Sequence, residues 1–315
     1  MSLKKSFDFG EINIWQFPVG TTVELKNNFL FFLNRIRKKK FKSIGRLHEA
    51  TALDIPFLTF KSYLKPSFPN FRDLHVLLKI CDCLNIPKDK LQKNISAYQF
   101  KKSRITVRCP ILPIRVTPLF PMLIAHMIAD GNIVRFKNKS TIYFSYRQYN
   151  PRLRLLLLEK TMTLFGELHY KEKYFFERTK IYLPVVLTRL LCNYYGFKDS
   201  GFLSKSAILP KSIMGSSKPH LLAVLIAFII DEGHIDSGQI VIKLKNDFLL
   251  RQLSEICNKL GYKNSVKPID KYGMTALYLL KKGVQSFWKE YLDLKRNFPA
   301  VDMGYREQKI KSNIR

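Results

Sequence analysis

Two segments of this 315-residue chain set an acid in the same context: LIAHMIADG (123–131) and LIAFIIDEG (225–233) share Leu, Ile, Ala, Ile, an acid and Gly in register, with the glycines 102 residues apart. Each is an apolar helical run ending in a carboxylate, Asp130 or Glu232, followed by a glycine that can end the helix. Ala125 and Ala129, like Ala223 and Ala227, stand four apart on one helix face, small enough for two such helices to approach closely. Packed that way, their carboxyl ends would bring Asp130 and Glu232 together. Like charges so close are unfavourable unless cations lie between them, and Mg2+ (or Mn2+) takes oxygen ligands while keeping waters. Such ions can activate a water and stabilise the leaving oxygen in phosphodiester hydrolysis. The plainer alternative, in which one or both acids only cap a helix or pair with a lysine, stays open from these residues alone.

The elements that must position the acids also repeat, at a period of about 100 residues. After each anchor comes an alternating strand, TIYFSYRQY (141–149) or QIVIKLK (239–245), then a helix ending at Phe165-Gly166 or Leu260-Gly261. A second β-rich stretch and another helix complete each half. Neither half buries its faces well alone, but pairing with its copy does so. The expectation is an α+β fold of two αββαββα repeats, about 120–200 and 218–296, related by a pseudo-twofold axis. In QIVIKLK, Ile240, Ile242 and Leu244 point one way and Val241, Lys243 and Lys245 the other. Ser145, Arg147 and Tyr149 occupy the matching face of the first copy.

On these two motifs and their separation, residues 115–295 resemble the LAGLIDADG homing endonucleases in their single-chain, two-motif form. The resemblance implies that Asp130 and Glu232 are catalytic and bind the metal, with Asp231 a bystander. It implies saddle-shaped sheets that lie along the major groove, with Ser145, Arg147, Gln148, Tyr149, Lys243 and Lys245 contacting DNA. The family commonly places a lysine just before an Asn/Ser-x-x-Leu segment. Lys245-Asn246-Asp247-Phe248-Leu249 fits, which makes Lys245 a catalytic candidate that balances charge on the phosphorane. The first copy departs from this: Tyr149 stands before Asn150, with Arg147 and Gln148 nearby. His126 reads as a helix-interface residue and His234 as a loop residue.

Composition points to the same partner class. Against 24 Asp and Glu stand 54 Lys and Arg, for a formal charge of +30; residues 1–108 hold 21 basic and 8 acidic side chains, so the excess runs through the whole chain. Charge spread through folded sequence implies faces that track phosphates. An anionic membrane surface is the rival, but the longest apolar run, 221–230, has 10 residues, half of the roughly 20 a span requires. Residues 1–9 lack the apolar core of a secretory signal. The five cysteines are odd in number without paired CxxC spacing, giving neither a disulfide framework nor a zinc site. An intracellular location is expected.

Upstream of the repeats, residues 1–100 read as a small all-helical domain. SIGRLHEATAL (43–53), a turn, and IPFLTFKSYLK (55–65) have the grammar of a helix-turn-helix, with Asp54 capping the second helix. The stripe Leu74, Leu77, Leu78, Cys81 and Leu84, ending before Asn85 and Pro87, resembles the helical tail of Cro- and repressor-like domains. That resemblance implies that Thr59, Lys61, Ser62 and Lys65 enter the major groove; a helical packing domain with solvated lysines is the alternative. RIRKKKFK (35–42) reads as a phosphate-contacting or solvated helix end. Three prolines, Pro110, Pro113 and Pro118, mark residues 101–119 as a linker, and 297–315 as a basic tail. The partner expected is double-stranded DNA, cut by a monomer carrying both motifs. A non-cutting regulator on the same fold, or a maturase binding structured RNA, fits the basic faces nearly as well. An intein origin would require a nucleophilic Cys or Ser at the start.

Overall fold

The structure is a computed structural model that describes residues 9–66, 71–135, 142–170, 179–197, 206–268 and 273–314. Residues 1–8, 68–70 and Thr141, on which parts of the sequence reading drew, lie outside these.

The amino-terminal segment holds β1 (Glu11–Ile12), β2 (Thr21–Leu25), α1 (Asn27–Lys40), α2 (Ile44–Thr51), α3 (Phe57–Tyr63), β3 (Arg72–Asp73), α4 (Leu74–Leu84), α5 (Lys88–Gln92), β4 (Ile95–Phe100) and β5 (Ile105–Arg108). The all-helical expectation is therefore corrected: helices pack with an antiparallel sheet. TTVEL and ISAYQF escaped notice because nearly every residue in them is buried, and a strand covered on both faces shows no alternation. In α2, Ser43 caps as its position suggests, accepting from the Arg46 N–H at 3.2 Å. Asp54 caps no helix among the described residues, since α3 starts three residues later, at Phe57, with Pro56 as its N-cap. Of the α4 stripe, Leu74, Leu77, Cys81 and Leu84 are buried and Leu78 partly so.

The proline-containing segment is no free tether. It contains β5 and β6 (Ile114–Arg115), and β6 pairs with β1. Next comes the first repeat, α6 (Leu119–Ala129), β7 (Gly131–Arg135), β8 (Ile142–Arg147), α7 (Pro151–Phe165), β9 (Glu167–Tyr170), β10 (Lys180–Tyr182) and α8 (Val185–Tyr195). A short α9 (Lys211–Met214) leads to the second: α10 (Lys218–Glu232), β11 (Gly233–Asp236), β12 (Gln239–Leu244), α11 (Asp247–Leu260), β13 (Asn264–Lys267), β14 (Thr275–Leu279) and α12 (Lys281–Asn297). The order αββαββα thus occurs twice. The final α13 (Tyr305–Asn313) gives the basic tail a fold of its own.

The two sheets differ in one strand. In the second repeat four antiparallel strands run β11-β12-β14-β13; in the first, the sheet is β10-β8-β7, and β9 joins the amino-terminal sheet β3-β2-β4-β5-β9. Four residue pairs, from Ile105↔Tyr170 to Arg108↔Glu167, tie β9 to β5.

At the centre α6 packs along α10. Residues 119–128 and 221–230 are buried on every side, as befits helices at the middle of a core. Ala125, Ala223 and Ala227 are fully covered, and Ala129 packs at the margin of the core. Of the two glycines after the anchors, Gly233 ends its helix as expected, its N–H donating to the Ile229 carbonyl, while Asp130 is the cap of α6 and Gly131 follows it. Neither has a positive φ; instead each starts a strand that folds back over the last helical turn. A Cβ on Gly131 would stand 2.3 Å from the Met127 carbonyl oxygen, and one on Gly233 2.4 Å from that of Ile229. The same close approach in both copies turns the chain at the same point beyond each acid.

Candidate functional site

Asp130 caps the end of α6, and Glu232 is the last residue of α10. Both are partly buried. Burial, then the negative charges of Asp231 and Glu232, push the Asp130 carboxyl up to about 8, with Arg306 pulling the other way. Burial, then Asp231, pushes Glu232 up to about 7. The charge of Glu232 thus acts on Asp130, at the ends of the two packed helices α6 and α10.

Their environments differ. Asp130 accepts a hydrogen bond from Gln148 Nε2 at 2.9 Å, and the Gln148 and Tyr149 carbonyls are held by the Arg154 guanidinium from α7. Among the described residues none hydrogen-bonds the Glu232 carboxylate. Extending the ladders by one residue past Gly131↔Tyr146 and Gly233↔Ile242 sets Asp130 level with Arg147 and Glu232 level with Lys243. The Arg147 N–H donates to the Asp130 carbonyl at 3.2 Å, which confirms the first register. Arg147 and Lys243, one residue beyond the strand partners of the two glycines, are both exposed.

Asp231 has a structural part in this site. Its side chain is completely buried and accepts from the Tyr146 hydroxyl at 2.5 Å and meets His126 Nδ1 at 2.8 Å. Both partners come from the first repeat, so this carboxylate joins the two halves while acting on the acids through its charge. His126 is an interface residue as read, and its Nε2 has no partner among the described residues. His234 lies in β11, exposed, and not in a loop.

On the strands, Ile240, Ile242 and Leu244 are buried while Lys243 and Lys245 are exposed, following the expected alternation. Arg147 and Tyr149 are exposed and touch each other, with Arg147 Nη2 2.9 Å from the Tyr149 hydroxyl. Ser145 differs: it is buried at 2% exposure, a short side chain on the middle strand with Asn132 and Tyr182 as its cross-strand neighbours. Its place in a groove-facing set is withdrawn. Gln148 is engaged with Asp130. Lys245 directly follows β12 and stands before Asn246, which caps α11 by accepting from the Leu249 N–H at 3.0 Å. Asn150 caps α7 in the same way. Thr59, Lys61 and Lys65 are exposed on or just beyond α3, next to Leu58 at 77% exposure, whereas Ser62 turns its hydroxyl to the Thr59 carbonyl.

Two residues near the acids carried no sequence signal. Tyr146 sits in an alternating strand like any core aromatic, and Arg306 lies 74 positions beyond Glu232 in what reads as a tail. Among the described residues no group of three or more His, Cys, Asp or Glu converges tightly enough to hold a metal by itself. Two carboxylates raised by burial and by neighbouring negative charge nevertheless fit a hard cation that keeps waters and shares substrate oxygens, the usual Mg2+ arrangement.

The sequence matches no family model and no curated protein. Solved structures with a related arrangement include the I-DmoI complex with DNA and Mn (16% identity, 55% of this chain and 93% of that one, TM-score 0.37). They also include the homing endonuclease I-WcaI bound to its DNA recognition sequence (13%, 55% and 79%, TM-score 0.38). A third is full-length DUF199/WhiA from Thermatoga maritima (12%, 62% and 59%, TM-score 0.36). No helix among the described residues is long and apolar enough to cross a membrane.

Proposed function

We propose that this chain is a sequence-specific endonuclease of double-stranded DNA that requires Mg2+ or Mn2+ and acts as a monomer. The observation that carries the proposal is that Asp130 and Glu232 end the two packed helices α6 and α10 at matching places in two αββαββα repeats, with the charge of Glu232 acting on Asp130. Asp130 and Glu232 would hold the metal, which supplies an activated water and charge neutralisation at the leaving oxygen. The chain's own part is positional. The α6–α10 pair fixes the carboxylates relative to each other, and the tight turns at Gly131 and Gly233 fix where each strand leaves. Gln148 orients Asp130. Arg147, Tyr149, Lys243 and Lys245 follow the phosphates and base edges of the major groove, and Lys245 adds positive charge near the reacting phosphate.

The amino-terminal helices add a second contact. Ser43 caps α2, Ala52 turns the chain in the left-handed region at φ 50°, and α3 exposes Thr59 and Lys61. Residues 27–65 carry nine Lys and Arg against two acids. This unit would read bases through α3 and hold phosphates through residues 35–42.

Incubating the protein with a randomised double-stranded DNA library, with Mg2+, with Mn2+ and with chelator, tests the reading. Discrete cleavage products with either metal and none with chelator are expected. Tight selective binding without cutting under any condition would replace it with a non-cutting regulator, and preference for structured RNA over duplex DNA with a maturase.

A further inference from the structure

The first repeat has no lysine at the place of Lys245: the matching residue is Tyr149. A cation from outside the repeat stands near this end of the site. Arg306, outside both repeats, is a positive charge that opposes the rise of the Asp130 carboxyl. Its Nη2 lies 3.4 Å from the carbonyl oxygen of Ile230, directly before Asp231 and Glu232, and its Nε is buried with no partner among the described residues. A guanidinium has five N–H donors, so one long hydrogen bond leaves most of them unused.

The tail is built to hold that residue there. Lys160, wholly buried on α7 of the first repeat, donates to the Asp302 carbonyl at 2.9 Å. Lys295 of the second repeat reaches Asp302 at 3.2 Å and Glu307 at 2.5 Å, and Tyr291 also bonds Glu307. Val301, Met303 and Ile310 are buried, and α13 packs on β11, the strand that begins right after Glu232. At Gly304, with φ 58°, the turn into α13 passes so close to Leu156 that a Cβ would meet it at 2.8 Å. Both repeats thus clamp the segment that presents Arg306.

We propose that Arg306 is a catalytic residue of this site, a guanidinium that contacts the phosphate held between Asp130 and Glu232 and supplies the cation that the first repeat lacks. The inference rests on the endonuclease reading. It moves no proton and forms no bond; it stabilises negative charge on the phosphoryl oxygens as the leaving oxygen departs.

The test uses the full chain and the duplex that the wild-type protein selects, comparing Arg306→Gln and Arg306→Lys with wild type after thermal melting has shown both folded. Metal-free binding is measured against salt, and single-turnover cleavage at saturating protein. For Arg306→Gln the slope of log affinity against log salt should fall by about 0.9, the share of one phosphate. Its cleavage rate should fall by about 100-fold. Arg306→Lys should keep the slope and fall between the two in rate. An unchanged slope for Arg306→Gln overturns the proposal whatever the rate does, because slow cutting would then come from a disturbed helix end. A lowered slope with cleavage within about twofold overturns it too, since the contact would lie away from the reacting phosphate. Should wild type bind the duplex without cutting it, the endonuclease reading itself fails and the inference with it.

Discussion

The Tyr146 hydroxyl, on β8 of the first repeat, donates a 2.5 Å hydrogen bond to the fully buried Asp231, on α10 of the second. Shifted by the repeat, Asp231 corresponds to Ala129, its other partner His126 to Phe228, and by strand register Tyr146 to Ile242. Three polar residues stand where the other half of the pseudo-twofold has three apolar ones, and two of them meet the two oxygens of the third, Asp231. A buried carboxylate is tolerable only with such partners.

Removing one partner should therefore cost more than removing all three. Tyr146→Phe is expected to destabilise by roughly 1–3 kcal/mol, since it leaves the Asp231 oxygen without its donor. Asp231→Ala with His126→Phe and Tyr146→Ile, which copies the other half, should recover most of that loss in urea unfolding. A triple variant less stable than the single one would count against the network.

The raised carboxyls make metal-free stability fall with pH. Asp130, near 8, and Glu232, near 7, lie above the unfolded values of 3.8 and 4.5. Their contribution is fully present below the unfolded values and is lost as pH rises through the folded ones. Thermal melting without metal should give Asp130→Asn a higher midpoint than wild type at pH 8.5 and no advantage near pH 4. Adding Mg2+ should stabilise wild type at the higher pH and leave Asp130→Asn nearly unmoved.

Gly131→Ala and Gly233→Ala should each destabilise by about 1–3 kcal/mol or more, because the new methyl would lie 2.3 or 2.4 Å from a helix carbonyl oxygen. The equivalence of the two effects, read by thermal melting, checks that both turns are built alike.

Lys160→Met removes the donor that holds the Asp302 carbonyl. Burial lowers the pKa of Lys160 to about 8, so the apolar replacement should cost little global stability while loosening the tail. Hydrogen exchange should speed up across 305–313 more than in α6 or α10. Uniform protection would show that the tail does not depend on this contact.

Much of the repeat was legible in the sequence, because its signals are local and doubled. Apolar anchors, small residues four apart and glycines at equal offsets gave the order of elements, and Asn150 and Asn246 cap the helices they precede. The pairing of β9 with β5 was not legible, since partner choice between strands depends on what lies alongside in space. Strands β2 and β4 hid because burial on both faces removes alternation. At the site, the acids were visible as repeated residues, whereas Asp231, Tyr146 and Arg306 occur once. The mirror copy offered nothing to compare them with, and Arg306 meets the end of α10, at the Ile230 carbonyl, because the tail folds back over β11.

The central claim is that Asp130 and Glu232 together form one metal-dependent cleavage centre. It is tested most directly by placing Asp130→Asn and Glu232→Gln beside wild type on the selected duplex, with Mg2+ or Mn2+, scoring cleavage of each labelled strand and binding in the same samples. Binding within a few-fold of wild type and loss of double-strand cutting in both variants is the predicted result. Full cutting by either variant would contradict the account.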